Sequence, residues 1–282
     1  MLIDRLGPVL EKLSLLSFGF RFYQRVSALS PRVYLRNRPH RVSQSGIPIP
    51  PVRLLMTVAG SAEISVFLDG GQLAAGSIRE ILQRNEIEIG DLQAVLDFGC
   101  GCGRVLRFWK DLAGTELHGT DYNAELAAWC AQHLPFVRIG TNELAPPTSY
   151  PAARFDLIYA LSVFTHLPET AQMAWMDEFH RILRPGGLLL LSLHGAHYTS
   201  RLNEQERRRF LAGELVTRYD SSAGTNLCSV FHPEAYVRKH LTRHFDVVDF
   251  IPEGARGNPR QDAWLFRRRF TQFPSSAPSP GP

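Results

Sequence analysis

Between residues 94 and 195, short apolar runs alternate with segments of helical periodicity. AVLDF (94–98), ELHGTD (116–121), FVRIG (136–140), RFDLIYAL (154–161) and GLLLLSLHG (187–195) read as strands, the last launched from the turn RPGG at 184–187. Helical spacing fills the gaps at about 104–112, through Trp129 and Cys130, and over 169–183. Strands that are apolar on both faces and alternate with helices predict a parallel sheet covered by helices on each side. FDVVDFI (245–251) and DAWLFRR (262–268) are joined without a helix, which predicts an antiparallel pair. The pattern as a whole is an α/β, doubly wound, seven-stranded, mostly parallel sheet ending in antiparallel strands.

Around this core the pattern changes. Leu2, Leu6, Val9, Leu13, Leu16 and Phe20 recur at four- and three-residue steps and line one face of a helix over 2–20, interrupted by Pro8 and Gly19. Pro48, Pro50 and Pro51 demand an extended linker or docking segment at 46–52, and helical spacing resumes near 53–68 and 74–85. A long stretch within 198–233 separates the fifth strand from a helix near 233–241. Its length marks a lid or binding segment. The division is therefore a mainly helical extension over 1–90, a principal domain over 91–270 with its insert at 198–233, and a tail at 271–282 too poor in apolar residues to fold.

Composition sharpens this outline. The chain has 282 residues, 44% hydrophobic and 21% charged, enough for a full core. Its net charge of +4 is concentrated at the start: residues 1–45 carry eight basic residues against two acidic ones, so the remainder is close to −2. A polyanionic nucleic-acid partner therefore gains little from the body of the protein. The basic head fits either peripheral contact with an anionic membrane or packing on its own domain or a second subunit. No secretory signal or spanning segment is evident, and four cysteines form no disulfide framework, so a cytoplasmic location is expected.

The chemistry gathers at DFGCGCGR (97–104), where the first strand runs into three glycines. A glycine turn at the carboxyl end of a parallel strand lets the backbone approach a ligand closely. The dinucleotide fingerprint G-x-G-x-x-G fails here, because Arg104 stands where its third glycine belongs. Zinc is not expected either: Cys100 and Cys102 lack the usual C-x2–4-C spacing, and Cys130 and Cys228 stand alone. The spacing D-x-G-x-G-x-G is met in full by Asp97, Gly99, Gly101 and Gly103.

That spacing resembles motif I of the class I S-adenosylmethionine-dependent methyltransferases, and the resemblance extends over about 90–268. LHGTDYNAE (117–125) is similar to the family's second motif, TNELAPP (141–147) to the segment that frames the adenine, and FDLIYALSVFTHL (155–167) and LRPGGLLLLSLHG (183–195) to the later strand motifs. The resemblance implies S-adenosyl-L-methionine as cofactor. It implies that Asp97, Phe98, Gly99, Cys100, Gly101 and Gly103 hold the methionine end, and that Asp121 holds the ribose hydroxyls. Tyr122, Asn142 and Glu143 then lie at the adenine, and Leu161 and Ser162 border methionine and acceptor. Where the family often has aspartate after the third strand, this chain has Thr141 and Asn142.

Methyl transfer from a sulfonium chiefly needs alignment, and a hydroxyl acceptor also benefits from a base near neutrality. His166, after the fourth strand, is the candidate catalytic residue, with a structural role as its alternative. His194, His197 and Tyr198, after the fifth strand, are candidate acceptor contacts. Tyr219 and His232 are further pocket candidates, while His180 and the Arg207–Arg209 run suit structural and solvated positions. The stretch ALSVF (160–164) lacks the Asn/Asp-Pro-Pro-aromatic segment of enzymes that methylate amino groups of bases. The expected function is methyl transfer to a small molecule such as a sugar, glycolipid or secondary metabolite, with oxygen favoured over nitrogen. A catalytically silent cofactor-binding or scaffolding protein is the alternative. A nicotinamide-dependent oxidoreductase fits less well, because it would need a constellation such as Tyr-x-x-x-Lys.

Overall fold

The computed structural model describes residues 31–40, 46–257 and 260–270. The amphipathic segment 2–20 and the tail 271–282 lie outside them. Five strands, β1 (Ala94–Phe98), β2 (Glu116–Asp121), β3 (Val137–Thr141), β4 (Phe155–Ala160) and β5 (Leu183–Leu193), pair in parallel. Two more, β8 (Phe245–Ala255) and β9 (Gln261–Arg268), complete a seven-stranded sheet in the order β3-β2-β1-β4-β5-β9-β8. The later strand β9 inserts between β5 and β8 and runs antiparallel to both, with Leu190 opposite Leu265 and Leu191 opposite Trp264.

The two-residue period of the strands sorts their side chains into two cores. Val95, Leu157, Leu190 and Leu265 enter one, and Leu96, Ile158, Leu189 and Trp264 the other. The first core is closed by α3 (Ile64–Gln83) through Phe67, Ile78 and Leu82, and by α4 (Ala124–His133) through Leu126 and Cys130. The second is closed by α5 (Glu169–Ile182) through Trp175 and Phe179, and by α7 (Glu234–His240) through Val237. Each such large apolar side chain contributes about 1.5–3 kcal/mol by leaving water.

The N-terminal region joins the first core through Ile47, Leu54 and Leu55. There α1 (Pro31–Asn37) ends in a buried Asn37, whose amide spans the start of α3: Oδ1 accepts from Ile64 N at 2.8 Å and Nδ2 donates to Ala62 O. The proline segment is extended before α2 (Val52–Ala59), and Arg107 Nη2 holds it by donating to Pro48 O at 2.7 Å. The helices divide at 60–63, between two and three turns earlier than the pattern at 53–68 and 74–85 suggests, because Gly60 takes the left-handed conformation and caps α2.

A second departure lies after β1. The helix expected at about 104–112 is only a 3-10 turn, Leu106–Trp109. Positive φ at Gly99, Gly101 and Gly103 keeps the chain turning until Arg104, and the stretch that follows closes with the i+3 bond of Phe108 N to Val105 O at 3.0 Å. The RPGG turn is likewise absorbed into β5 as an irregularity, with the register against β4 shifting between Phe155 and Leu157.

The insert is a small unit of its own. It contains α6 (Glu204–Leu211), started by a capping box between Asn203 and Glu206, and a hairpin of β6 (Val216–Arg218) with β7 (Ser229–Phe231). Tyr198, Leu202, Phe210, Val216 and Phe231 form its core. A bridge from His194 to Phe231 fastens it to the end of β5.

Gly103 tests how tightly the glycine turn is packed. Its φ is +75°, and an added Cβ would overlap Leu134 Cδ1 and lie 3.2 Å from Cys130 Sγ. Gly103→Ala should lower stability by about 2–3 kcal/mol, from left-handed strain plus overpacking, as read by urea unfolding.

Candidate functional site

Asp121 ends β2, and its carboxylate reaches across to the neighbouring turn. Oδ2 accepts the Gly101 N–H at 2.8 Å, and Oδ1 accepts the Asn123 N–H at 2.8 Å. Burial raises the carboxyl above its ordinary range, while these two donors pull it back. One residue earlier, the Thr120 carbonyl accepts from Gly99 N at 2.8 Å and Cys100 N at 3.0 Å. The end of β2 therefore sets the path of the turn.

Asp97 at the other side of the turn is also buried. Burial pushes its carboxyl up to about 7 and the Asp121 charge adds to this, against the Tyr159 hydroxyl and the Arg104 guanidinium. Phe98 directs its ring into the second core, 4.5 Å from Trp175 and 4.9 Å from Phe179, so only its backbone faces the turn. Cys130 Sγ donates to Gly101 O at 3.3 Å, and Cys100 Sγ lies 3.7 Å from the same oxygen. All four cysteines are buried and none forms a disulfide. Among the described residues no cluster of His, Cys, Asp and Glu could hold a metal.

Beyond β3, Asn142 is tied to the same frame. Its N–H donates to Asp121 O at 3.3 Å, and its Oδ1 accepts from the Thr120 hydroxyl at 2.9 Å. Glu143 is exposed. Tyr122 is 43% exposed, with Gly224 of the insert lying over it: a Cβ there would be 3.5 Å from Tyr122 Cζ and 2.6 Å from Leu144 Cδ1. Asn226 Nδ2 donates to Thr57 O at 2.9 Å, and Val58 of α2 lies above Gly101, so α2 and the insert meet over the turn.

After β4 the chain is held by a ring of hydrogen bonds. Ser162, at φ +58°, donates its N–H to Ser192 Oγ at 2.7 Å. Ser192 Oγ donates to Gln261 Oε1 at 2.5 Å, and Gln261 Nε2 donates to Ser162 Oγ at 2.9 Å. Thr165 Oγ1 closes on Ser162 Oγ at 3.1 Å. Ser192, Gln261 and Thr165 are site residues that the sequence did not single out. Leu161 turns away from this ring and packs with Ile78 and Leu190 towards α3.

His166 follows directly. Its Nδ1 lies 2.6 Å from the Cys228 carbonyl, and its own carbonyl accepts from Gly224 N at 2.8 Å. A carbonyl partner requires the proton on Nδ1, leaving the Nε2 lone pair free, and burial holds the imidazole below its ordinary pKa. The His194 ring is 6.5 Å away, buried, bonded through Nδ1 to Val230 O at 3.1 Å and pushed down to about 3 by burial. Tyr198 packs on His194 at 4.2 Å, but its hydroxyl donates to the Arg260 carbonyl just before β9 at 2.7 Å. His197, three residues from His194, faces outward to Glu253 at 3.2 Å.

The remaining candidates are structural in their contacts. His232 is buried with Nε2 3.2 Å from Gln172 Oε1, and burial drives it to about 3. His180 stacks on His244, while Arg208 and Arg209 pair with Glu204 and Glu214 on the surface. Tyr219 sits at φ +55°, at the turn that follows β6.

The arrangement is that of a doubly wound α/β domain with a glycine turn and two buried carboxyl groups at the carboxyl ends of its first two strands. Residues 96–189 match the family model described as a methyltransferase domain. The chain is 33% identical over 119 residues to trans-aconitate 2-methyltransferase of Azoarcus sp., covering 41% of this chain and 44% of that protein. It is 31% identical over 135 residues to malonyl-(acyl-carrier protein) O-methyltransferase of Enterobacter lignolyticus, covering 43% and 50%. The chain thus spans about half the length of these curated relatives. Its fold resembles that of an S-adenosylmethionine dependent methyltransferase from Mesorhizobium loti, with a TM-score of 0.53 at 17% identity over 70% of this chain and 100% of that one. Residues 96–189, about a third of the chain, are thus similar to a methyltransferase domain. Among the described residues no helix is long and apolar enough to cross a membrane.

The buried Asp97 has a measurable linkage. Its carboxyl titrates near 7 when folded and near 3.8 when unfolded, so the folded chain holds an extra proton between those values. Its stabilising contribution is present at low pH and is lost as pH rises through 7. His194 and His232 act oppositely, since their lowered values make the folded chain lose stability as pH falls below 6.5. Asp97→Asn removes only the first effect. Urea unfolding at pH 7 and pH 5 should show the variant losing about 2 kcal/mol more than the parent on acidification.

Proposed function

We propose that this protein transfers the methyl group of S-adenosyl-L-methionine to a small-molecule acceptor, oxygen favoured over nitrogen, of the sugar, glycolipid or secondary-metabolite kind. The observation that carries the reading is the Asp121 clasp: a buried carboxylate whose oxygens each hold one backbone N–H and keep further lone pairs. That donor set suits two vicinal ribose hydroxyls, and the glycine turn beside it suits a close backbone approach, so the residues present fit the cofactor.

When bound, the cofactor supplies a sulfonium methyl that is already activated. Asp121 would hold the ribose, Tyr122 with the Asn142–Glu143 segment the adenine, and Asp97 with the Gly99–Gly103 backbone the methionyl end. The Ser162 ring fixes the loop between donor and acceptor. His166 would take the acceptor's hydroxyl proton at Nε2 as the methyl moves, its tautomer set by the Cys228 carbonyl. Proximity and in-line alignment supply most of the rate, and the base a further factor of about 10²–10⁴.

Asp121→Asn should keep one backbone acceptor while weakening S-adenosylhomocysteine binding about 10- to 100-fold by calorimetry. Unchanged affinity would place the ribose elsewhere. His166→Gln should slow transfer of a labelled methyl from donor to fractionated small molecules by about 10²-fold or more, with donor affinity preserved. Because His166 is neutral at pH 7, parental turnover should be flat above neutrality and fall only on acidification below the ordinary histidine range. A variant as active as the parent would reduce His166 to a clasp for the insert.

A further inference from the structure

The first helix presents a surface that neither the core nor the site uses. On α1 the successive side chains Tyr34 and Leu35 are 56% and 64% exposed, and Arg32, Arg36 and Arg38 flank them in solvent. Arg36 pairs with Glu63, whereas Arg32 and Arg38 have no ion-pair partner among the described residues. The helix is nonetheless fixed to the domain, because the buried Asn37 bonds Ala62 O and Ile64 N at the start of α3. Its outward face is therefore carried by the fold itself.

The sequence before α1 repeats this mixture of apolar and basic residues. It carries the apolar period of 2–20 together with Arg5, Lys12, Arg21 and Arg25, against only Asp4 and Glu11. A second copy of the chain complements such a face poorly, since a two-fold contact sets the patch against itself, arginine facing arginine. A nucleic acid would answer the charge but offers an exposed leucine nothing to enter. An anionic lipid surface answers both parts. Its phosphates pair with guanidinium groups, and its acyl boundary receives Leu35 and the amphipathic ring of Tyr34.

We propose that α1, with the basic segment leading into it, docks the protein on an anionic lipid surface. Arg32 and Arg38 supply the attraction, each worth about fivefold in partitioning close to such a surface, and Leu35 supplies the entry into the acyl boundary. The contact is peripheral and reversible, with the helix lying on the bilayer rather than crossing it. It is independent of the donor reading above, since it needs neither the cofactor nor the glycine turn.

Sedimentation of the full chain with vesicles of phosphatidylcholine alone, and of phosphatidylcholine mixed equally with phosphatidylglycerol, tests this. The parent should pellet with the mixed vesicles and stay in the supernatant with phosphatidylcholine, and its partitioning should fall as salt rises. Arg32→Glu combined with Arg38→Glu should lower the partition coefficient at least about 10-fold, and Leu35→Ser about 3- to 10-fold. Arg32→Lys combined with Arg38→Lys should keep most of it. All three positions are exposed, so the variants should fold like the parent, which circular dichroism checks. Failure to pellet with the mixed vesicles, equal pelleting with phosphatidylcholine, or binding that either the charge reversal or Leu35→Ser leaves unchanged overturns the proposal. A dimer in light scattering that Leu35→Ser dissociates gives the face to a second copy instead. Binding to duplex DNA without binding to the vesicles gives it to a nucleic acid, and either result overturns the lipid assignment.

Discussion

A carboxylate at the end of one strand holding the backbone of the next strand's exit is the constraint on which the site depends. Asp121 and the Thr120 carbonyl together hold Gly99, Cys100 and Gly101, so the turn cannot relax independently of β2. The parallel pairing of β1 with β2, from Ala94 opposite Glu116 to Phe98 opposite Thr120, delivers Asp121 to that position. Sheet register and site geometry are therefore one quantity here. A slip of one residue would turn the carboxylate to the other face of the sheet.

The same economy extends to the rim. The loop after β4 is stapled to β5 and β9 by Ser192 and Gln261, and the insert is stapled to that loop through His166. Histidines in this region are held below their ordinary pKa by burial, so the rim keeps its hydrogen bonds without introducing charge beside the glycine turn. What charge the mouth does bury is carried by Asp97, Arg104 and Asp121, around the glycine turn itself.

Much of this was legible in the residues. Both faces of the central strands are apolar, which reveals a parallel sheet, and the Asp-x-Gly-x-Gly-x-Gly spacing locates its functional end. Apolar spacing over 104–112 is compatible with an α-helix, and it does not distinguish one from the 3-10 turn Leu106–Trp109 that forms there. His194 and His197 look equivalent in sequence, yet a single 3-10 turn sends one inward and the other to Glu253. The ring of Ser162, Ser192 and Gln261 is assembled from three strands' ends, and no local pattern announces partners so far apart. Phe98 sits inside the motif but belongs by its ring to the opposite core, as strand alternation dictates for the residue after Asp97.

The placement of β9 between β5 and β8 has a consequence for biogenesis. During synthesis the five parallel strands emerge first, followed by the whole insert, α7 and β8, and only then the segment that covers the exposed flank of β5. Until it arrives, a row of leucines and open amide groups waits at the margin of a half-built sheet, which is the kind of surface that chaperones shield. Gln261 comes with that strand, so the loop after β4 acquires its tether only as the sheet closes. A ribosome-bound intermediate would thus be a partly formed sheet whose loop after β4 is still untethered, and that loop would become ordered in one late step.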